Sequence, residues 1–356
     1  MGRNWAKNLR DCPEVKTVGW MDIRPGAPQA AIEELRLSDV PGFDDLQKAI
    51  AESRPDFVVD VTAPEAHYSV TLAALAAGIP RRIAVHHNPL PTYPKAARVM
   101  DQILGHSGAY SEVVAVSEAV AVTFRADRYK CPVTTIHNGL SLPNYHPSLD
   151  PRARWGIPDG KPVLLTVGRL SRQKNHAVLL QALRDIPEAH LAIVGGGELR
   201  DDLTALASAL RVDDRVHFTG EIAPEDVVSL LKACDVFVFP SLWEGLPMAA
   251  IEALQAGAPV VASDIPANRE VLGDAAILVP ASDASALAAA VRMVLEDPTV
   301  ANRLRTRAKE RAARFTARSM IDRYCELICG EPPASTISLL TDRVPAPVGF
   351  SKEYLP

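Results

Sequence analysis

Two glutamates eight residues apart stand where an apolar run gives way to a helical stretch. Glu244 lies in the loop that follows a run ending at Pro240, and Glu252 lies about two turns into the next helix. Pro247 near the predicted helix start and Gly257 just after its end are the residues expected at those positions. A helix start offers unpaired backbone N–H groups at its positive end, and this arrangement suits a phosphate group.

The loop at this helix start is the candidate phosphate site. We expect backbone N–H groups near residues 245–248 to be unpaired, and Gly245 to let a ligand approach the backbone closely. A carboxylate in contact with a phosphate would repel it. We therefore expect Glu244 and Glu252 to bind hydroxyl groups at the two ends of the ligand, one on a sugar and the other on a ribose.

Two cations follow the first predicted strand of the same half of the chain. Arg169 and Lys174 are five residues apart in the loop after residues 163–167. Cations that converge there would hold a diphosphate and stabilise it as a leaving group. Loop cations are usually only solvated, so this motif gains its weight from the helix-start site in the same domain.

The elements that must position these groups alternate between strand and helix. The alternation, with continuous apolar runs, predicts an α/β fold of two Rossmann-like, doubly wound domains with parallel sheets. A Pro-punctuated stretch at 141–160 separates a first domain, 1–145, from a second domain, 146–330. A Pro-rich tail, 331–356, is expected to be extended or poorly ordered. Ligands are expected in the crevice outside the carboxyl ends of the strands. The predicted strands are 15–21, 57–61, 82–86, 113–117, 133–137, 163–167, 191–194, 216–219, 236–240, 259–263 and 277–279.

Four segments resemble those of a retaining glycosyltransferase of family 4 with the GT-B fold, and the resemblance covers residues 82–329. The segment VGRLSRQKN is similar to the donor-phosphate loop of that family, and PSLWEGLPMAAIEAL is similar to its Glu-x7-Glu signature. VVAVSEAV and TIHNGL resemble two further family segments. The resemblance implies transfer of a sugar from a nucleotide-diphosphate sugar to an acceptor hydroxyl, with retention of configuration and with neither metal nor cofactor.

The resemblance also implies a role for each matching position. Arg169 and Lys174 would bind the donor diphosphate, Glu244 the hydroxyls of the transferred sugar, and Glu252 the nucleotide ribose. The implied catalytic positions are Arg169, Lys174, Glu244 and His87, and the implied donor-binding positions are Gly168, Gly245, Leu246, Pro247, Met248 and Glu252.

Two further features near the predicted strand ends stay open. His87 falls where the family places a histidine near the reacting sugar, although His86 matches equally well and a histidine with no such role is an equal alternative. The turn at residues 195–198, GGGE, is interpreted either as a loop at the rim of the donor pocket or as a tight strand–helix turn.

The first 80 residues depart from the family pattern, because the usual first strand and Gly-rich loop are missing. They resemble the nucleotide-binding half of the Gfo/Idh/MocA oxidoreductases, with Asp22 at the ribose-binding position, yet without the Gly fingerprint. This segment is either a divergent half of the acceptor domain or a fused remnant. The alternative functions are therefore an inactive nucleotide-sugar-binding protein and, more remotely, an NAD(P)-dependent oxidoreductase.

Composition narrows the choice of partners and compartment. The chain has 356 residues, 47% of them hydrophobic and 23% charged, with a net charge of −5. This excludes a disordered or disulfide-scaffold protein and argues against a nucleic-acid partner. The five scattered cysteines are expected to be buried or half-buried thiols in a reducing compartment, and no run of about 18 apolar residues is present. We therefore expect a cytoplasmic protein, and the family resemblance implies a role in polysaccharide biosynthesis.

An arginine series near the end of the chain bears on membrane attachment. On one helix these arginines would form a basic stripe beside an apolar one, and the more common interpretation is a solvated helix face. The alternative is attachment to an anionic membrane surface, which would place the protein at the inner face of the membrane near a carbohydrate or lipid-linked acceptor. The series consists of Arg303, Arg307, Arg311, Arg314 and Arg318, beside Leu304, Ala308, Ala312 and Phe315.

Overall fold

The computed structural model describes residues 20–21, 27–35, 39–60, 64–143 and 151–329. These residues form two compact units: the first contains residues up to Gly139 together with the helix that begins at Ala317, and the second contains Leu140–Thr316. The predicted ribose ligand Asp22 and the Pro-rich tail lie outside the described residues.

The first unit alternates strands and helices around a parallel sheet of four strands in the order β3-β4-β5-β6. Strands β1 and β2 form a separate parallel pair. In the part of this unit that the structure describes, no strand pairs with β3 on the side away from β4. The elements are β1 (Trp20–Met21), α1 (Ala27–Leu35), β2 (Gly42–Phe43), α2 (Leu46–Ser53), β3 (Phe57–Asp60), α3 (Pro64–Ala76), β4 (Arg81–His86), α4 (Lys95–Ser107), β5 (Glu112–Ala115), α5 (Glu118–Ala126) and β6 (Val133–Thr135).

The second unit is a doubly wound domain whose six parallel strands run in the order β12-β11-β10-β7-β8-β9. The chain adds β8 and β9 on one side of β7 and then crosses to place β10 on the other side. The strand order therefore reverses between β7 and β10, where ligands of such sheets bind. The elements are α6 (Pro151–Trp155), β7 (Val163–Val167), α7 (His176–Leu183), β8 (His190–Val194), α8 (Arg200–Ala209), β9 (Val216–Gly220), α9 (Pro224–Ala233), β10 (Val236–Phe239), α10 (Met248–Ala256), β11 (Val260–Ser263), α11 (Pro266–Leu272), β12 (Ala276–Val279), α12 (Ala284–Glu296) and α13 (Pro298–Ala312).

Burial explains why the strands of the second unit have continuous apolar sequences. Leu164, Leu165, Val236 and Phe237 are at most 1% exposed, because helices cover both faces of the sheet. The predicted α/β class with two Rossmann-like domains is thereby confirmed.

The last described helix, α14 (Ala317–Cys329), packs within the first unit. Nη2 of Arg81, at the start of β4, donates to the carbonyl of Leu327 at 2.7 Å, and the backbone N–H of Gly139 contacts Sδ of Met320 at 3.4 Å. The sequence analysis placed this helix in the same domain as β7–β12. Its contacts with the first unit are made by residues more than 180 positions away in the chain.

The arginine series does not lie on one helix, a question that the sequence left open. Helix α13 ends at Ala312, Arg314 lies in a 3-10 turn, and Arg318 belongs to α14 in the other unit. Nε of Arg311 donates to the carbonyl of Val271 at 2.9 Å, so this guanidinium is bound to α11. The neighbouring apolar positions are buried as expected: Leu304, Ala308, Ala312 and Phe315.

The structure bears on two of the sequence-based expectations, one about membrane-spanning segments and one about the cysteine thiols. None of the described helices has the length and apolar character needed to cross a membrane. Cys131, Cys234 and Cys329 carry free thiols, whereas Cys325 is disulfide-bonded. The expectation of a free thiol is therefore wrong for Cys325.

Candidate functional site

The loop after β7 is held against the glycine turn after β8. The N–H of Leu170 donates to the carbonyl of Gly196 at 2.8 Å. A Cβ on Gly195 would lie 2.2 Å from the carbonyl oxygen of Gly168, and one on Gly197 would lie 2.5 Å from that of Leu170. Gly195 and Gly197 have φ values of +128° and +155°, which side chains rarely adopt. The GGGE turn thus brings two backbones together at a distance that only glycine permits.

Lys174 and Glu244 meet where the carboxyl ends of β7 and β10 lie side by side. Nζ of Lys174 donates to Oε1 of Glu244 at 2.6 Å, and the side chains are 19% and 7% exposed. The ammonium group also lies 4.9 Å from the centroid of the Phe239 ring, within the range of a cation–π contact. Carbon Cε of Lys174 would be 3.2 Å from a Cβ on Gly168. Lys174 is therefore a fixed, partly buried cation and not a solvated one.

Gln173 joins the two loops and was not singled out by the sequence. Its Nε2 donates to the carbonyl of Trp243 at 2.9 Å and reaches Oε2 of Glu244 at 3.4 Å. Its own carbonyl accepts from the N–H of Leu242 at 2.8 Å. Nothing in its residue type or spacing distinguishes Gln173 from an ordinary loop glutamine, because these contacts depend on which strands are neighbours.

Asn175 and His176 anchor the same loop at the start of α7. Asn175 has φ +53°, and its Nδ2 donates to the carbonyl of Ala281 at 2.8 Å. His176 is 2% exposed, and burial together with the nearby charge of Lys174 lowers its pKa to about 4. This histidine is therefore neutral at pH 7, and it adds no positive charge beside Lys174.

Arg169 lies apart from the Lys174–Glu244 pair. Its side chain is exposed, and among the residues that the structure describes none forms a hydrogen bond or ion pair with its guanidinium. The structure therefore brings Lys174, but not Arg169, into contact with Glu244.

The start of α10 differs in one respect from the expectation of free N–H groups. Pro247 is the N-cap residue and has no N–H, and the N–H of Met248 donates to the carbonyl of Leu246 at 2.9 Å. The expectation is therefore wrong for Met248, because a tight turn of the chain before the helix already uses its donor. Leu246, Pro247 and Gly245 are buried beside Glu244.

Glu252 lies on α10 and is half-buried. Burial raises the pKa of this carboxyl group above its ordinary value. Within the described ranges no side chain or backbone group bonds to it. Glu252 thus has an acceptor group that is partly removed from water and has no partner among the described residues.

The two histidines at the end of β4 have different surroundings. Nδ1 of His86 lies 2.8 Å from the hydroxyl of Tyr93, and burial lowers the His86 pKa to about 3. Both ring nitrogens of His87 are buried without a hydrogen-bond partner in the described part of the chain, and burial, followed by the nearby His67, lowers its pKa to about 4. Both rings are neutral at pH 7. Of the two, His87 has both ring nitrogens without a hydrogen-bond partner among the described residues, whereas His86 has only Nε2.

Comparison with known proteins gives a family match over the part of the chain that contains Lys174, Glu244 and Glu252. Residues 149–311 match the family described as "Glycosyl transferases group 1". The lipopolysaccharide core biosynthesis glycosyltransferase LpsE of Rhizobium meliloti is 32% identical over 188 residues, which are 51% of this chain and 54% of that protein. The chain spans about half the length of the first curated relatives it matches.

Solved structures share the fold over more of the chain. Sucrose-phosphate synthase from Thermosynechococcus elongatus superposes with a TM-score of 0.70 at 24% identity, covering 80% of this chain and 76% of that one. Anabaena HepE, solved in complex with UDP-glucose, has a TM-score of 0.80 at 19% identity and covers 93% of this chain and 96% of that one. At these identities the likeness shows the fold alone.

Proposed function

We propose that the protein is a retaining glycosyltransferase of family 4, which moves a sugar from a nucleotide-diphosphate sugar to an acceptor hydroxyl. The observation that carries the proposal is the contact of Lys174 with Glu244 at the strand-order reversal between β7 and β10. A cation and a hydroxyl-binding carboxylate lie there together. The second signature glutamate, Glu252, lies on α10, the helix that follows this loop. The match of residues 149–311 to glycosyl transferases supports the same conclusion.

Lys174 is the group we assign to the donor diphosphate. Its ammonium has three N–H donors, and Glu244 takes one of them in the ligand-free protein. The remaining donors are available to phosphate oxygens, and negative charge that develops on the diphosphate as the sugar leaves would strengthen these bonds. Arg169, whose guanidinium bonds to none of the described residues, supplies the second cation when the donor binds.

Glu244 is assigned to the hydroxyls of the transferred sugar. One carboxylate oxygen holds Lys174 and the other lies 3.4 Å from Nε2 of Gln173, so the carboxylate is oriented before the donor arrives. An ionised carboxylate only accepts hydrogen bonds, and the sugar hydroxyls are donors. The backbone of Gly168, Gly245 and Leu246 lines the same part of the site.

The chemical step is assigned to stabilisation of the leaving diphosphate. We name no enzyme nucleophile, since retention by a front-face path needs none. Of the two histidines in the first unit, we assign His87 to the reacting sugar. Its ring nitrogens have no hydrogen-bond partner within the described residues, whereas Nδ1 of His86 is occupied by Tyr93.

Replacing Glu252 by glutamine is expected to have opposite effects on stability and on donor affinity. Burial raises the pKa of Glu252 in the folded protein, so the folded state binds this proton more tightly than the unfolded state does. Stability therefore rises as the pH falls from the raised pKa towards the unfolded value of about 4.3. At pH 7 the Gln variant should melt at a higher temperature than the unchanged protein, and this difference should vanish below about pH 4.

The same variant should bind the donor more weakly, by about 1–2 kcal/mol, because a neutral amide replaces a charged acceptor for the ribose hydroxyls. Melting curves from pH 4 to 8, with and without nucleotide sugar, measure both effects. Glu296→Gln, an exposed change on α12, is the control. Unaltered donor affinity in a folded Glu252→Gln variant would remove Glu252 from the ribose site.

We propose that the acceptor is a carbohydrate or a lipid-linked molecule. We also propose that the protein contacts an anionic membrane through the outer face of α3 and α4. Of the seven large apolar side chains that are exposed in the described residues, six lie on these two packed helices. The exposed cation Lys95 lies at the start of α4 and complements an anionic surface. The six side chains are Tyr68, Leu72, Leu75, Val99, Met100 and Ile103.

The double variant Leu72→Gln/Ile103→Gln is expected to lose most of the binding to anionic lipid vesicles that the unchanged protein shows in a sedimentation assay. Each change removes an apolar contact with the membrane that is worth roughly 1 kcal/mol or more. Met293→Gln removes the one other large exposed apolar side chain found among the described residues and should leave binding unchanged. Equal sedimentation of all three proteins would contradict membrane contact through this face.

Turnover with a panel of nucleotide sugars tests the proposed activity. We expect release of the nucleoside diphosphate in the presence of acceptor, and NMR of the product should show the anomeric configuration of the donor. Protection from unfolding by a nucleotide sugar without turnover would identify a binding protein that has lost activity. Protection by NAD alone would favour the oxidoreductase alternative.

A further inference from the structure

Three polar side chains from three elements of the first unit converge in its interior. His67 is on α3, His86 ends β4 and Asp101 is on α4, and each is at most 1% exposed. Nδ1 of His67 and Nε2 of His86 each lie 3.7 Å from Oδ1 of Asp101. One ligand atom from each of the three residues lies within 4.8 Å of the other two. No motif of the proposed reaction includes His67 or Asp101.

The Asp101 carboxylate carries a buried negative charge. The hydroxyls of Tyr110 and Tyr129 donate to its two oxygens at 2.6 and 2.5 Å. In the described part of the chain no lysine or arginine pairs with this carboxylate. A buried charge without a cation is costly.

The His86 ring is oriented like a metal ligand. Its Nδ1 is 2.8 Å from the Tyr93 hydroxyl, which can accept the ring proton. In the tautomer with the ring proton on Nδ1, Nε2 is a bare lone pair, and Nε2 has no hydrogen-bond partner among the residues described. Metal-bound histidines typically hold their other ring nitrogen in such a bond, which fixes the ring and the tautomer. Here the free lone pair faces Asp101.

We propose that His67, His86 and Asp101 bind a divalent transition-metal ion, and that Zn²⁺ fits the site best. Two imidazoles and one carboxylate are a common ligand set for zinc. Tetrahedral ligands at about 2.1 Å from the ion lie about 3.4 Å apart. The two separations from Asp101 are 3.7 Å and all three ligand atoms lie within 4.8 Å of one another, so the side chains close around the ion when it binds. The ion would neutralise Asp101 and tie α3, β4 and α4 together.

Zinc titration of the chelator-treated full-length protein tests the proposal. We expect one equivalent of Zn²⁺ per chain by elemental analysis after desalting, a rise in melting temperature that EDTA reverses, and no comparable effect of Mg²⁺. Co²⁺ in place of zinc should give the visible absorption bands of a low-symmetry site. Absence of stoichiometric zinc, with the same melting temperature in zinc and in EDTA, would overturn the proposal and leave a proton as the group shared by the cluster.

Variants locate the bound ion. Asp101→Asn keeps the size of the side chain and acceptor capacity for a tyrosine hydroxyl, and His67→Gln keeps a polar side chain, and each should abolish the zinc-dependent shift. The second unit contains a histidine pair, Nδ1 of His190 and Nε2 of His217 at 3.1 Å, so His217→Gln is the matched control and should bind zinc as the unchanged protein does. Loss of zinc only in His217→Gln would place the ion there and would overturn the proposal.

Discussion

Replacing Lys174 by methionine is expected to lower glycosyl transfer roughly 100- to 1000-fold, the cost of removing one donor from a developing oxyanion. The donor diphosphate gains charge in the transition state, so turnover should fall more than acceptor affinity. Steady-state kinetics with donor and acceptor varied separately measure this difference. Arg172→Met removes an exposed cation two residues away in the same loop and should leave turnover nearly unchanged.

The single change also leaves Glu244 buried without its cation, so part of the loss of activity can come from lost stability. The double variant Lys174→Met/Glu244→Gln removes both charges and should recover stability relative to Lys174→Met. It should not recover turnover. Recovery of turnover in the double variant, or full turnover in a folded Lys174→Met protein, would show that Lys174 only neutralises Glu244.

Arg169→Ala should lower turnover as well, and full activity would make Arg169 a solvated loop cation.

Gly195→Ala is expected to cost about 2–4 kcal/mol of folding free energy and to weaken donor binding. Its φ of +128° is strained for alanine, and the new Cβ would lie 2.2 Å from the carbonyl oxygen of Gly168. This oxygen cannot move without displacing the loop after β7. Urea unfolding and donor titration measure the two losses.

The neighbouring Gly196→Ala change is the matched control for this glycine turn. Its Cβ would meet its nearest neighbour, Oε1 of Glu221, at an ordinary 3.6 Å, and a loss below about 0.5 kcal/mol is expected. Equal unfolding free energies for the two variants would contradict the interpretation that the GGGE turn sets the position of the loop after β7.

Local sequence patterns were sufficient to predict the elements that position the site. Strand β7 at Val163–Val167 has the predicted limits, and helix α10 at Met248–Ala256 lies between Pro247 and Gly257 as predicted. Their ends are marked by Pro or Gly, and a buried parallel strand is a continuous apolar run. The parallel α/β class followed from the same alternation.

Contacts between distant parts of the chain could not be predicted in this way. The bonds from Gln173 to the loop of Glu244 depend on β10 lying beside β7. Local sequence patterns do not determine the order of strands in a sheet. The arginine spacing of three and four residues fitted one helix, but the chain leaves α13 after Ala312 and enters the other unit. The cluster of His67, His86 and Asp101 brings together residues with no common motif.

The central claim is that Lys174 holds the second phosphate of the donor, and calorimetric titration of a nucleoside diphosphate against its monophosphate tests it most directly. The nucleoside is the one among uridine, guanosine and adenosine that binds the unchanged protein most tightly. We expect the diphosphate to bind at least about tenfold more tightly than the monophosphate, a difference of about 1.4 kcal/mol, and Lys174→Met/Glu244→Gln to lose most of that preference. An undiminished preference for the diphosphate in this folded variant would contradict the account.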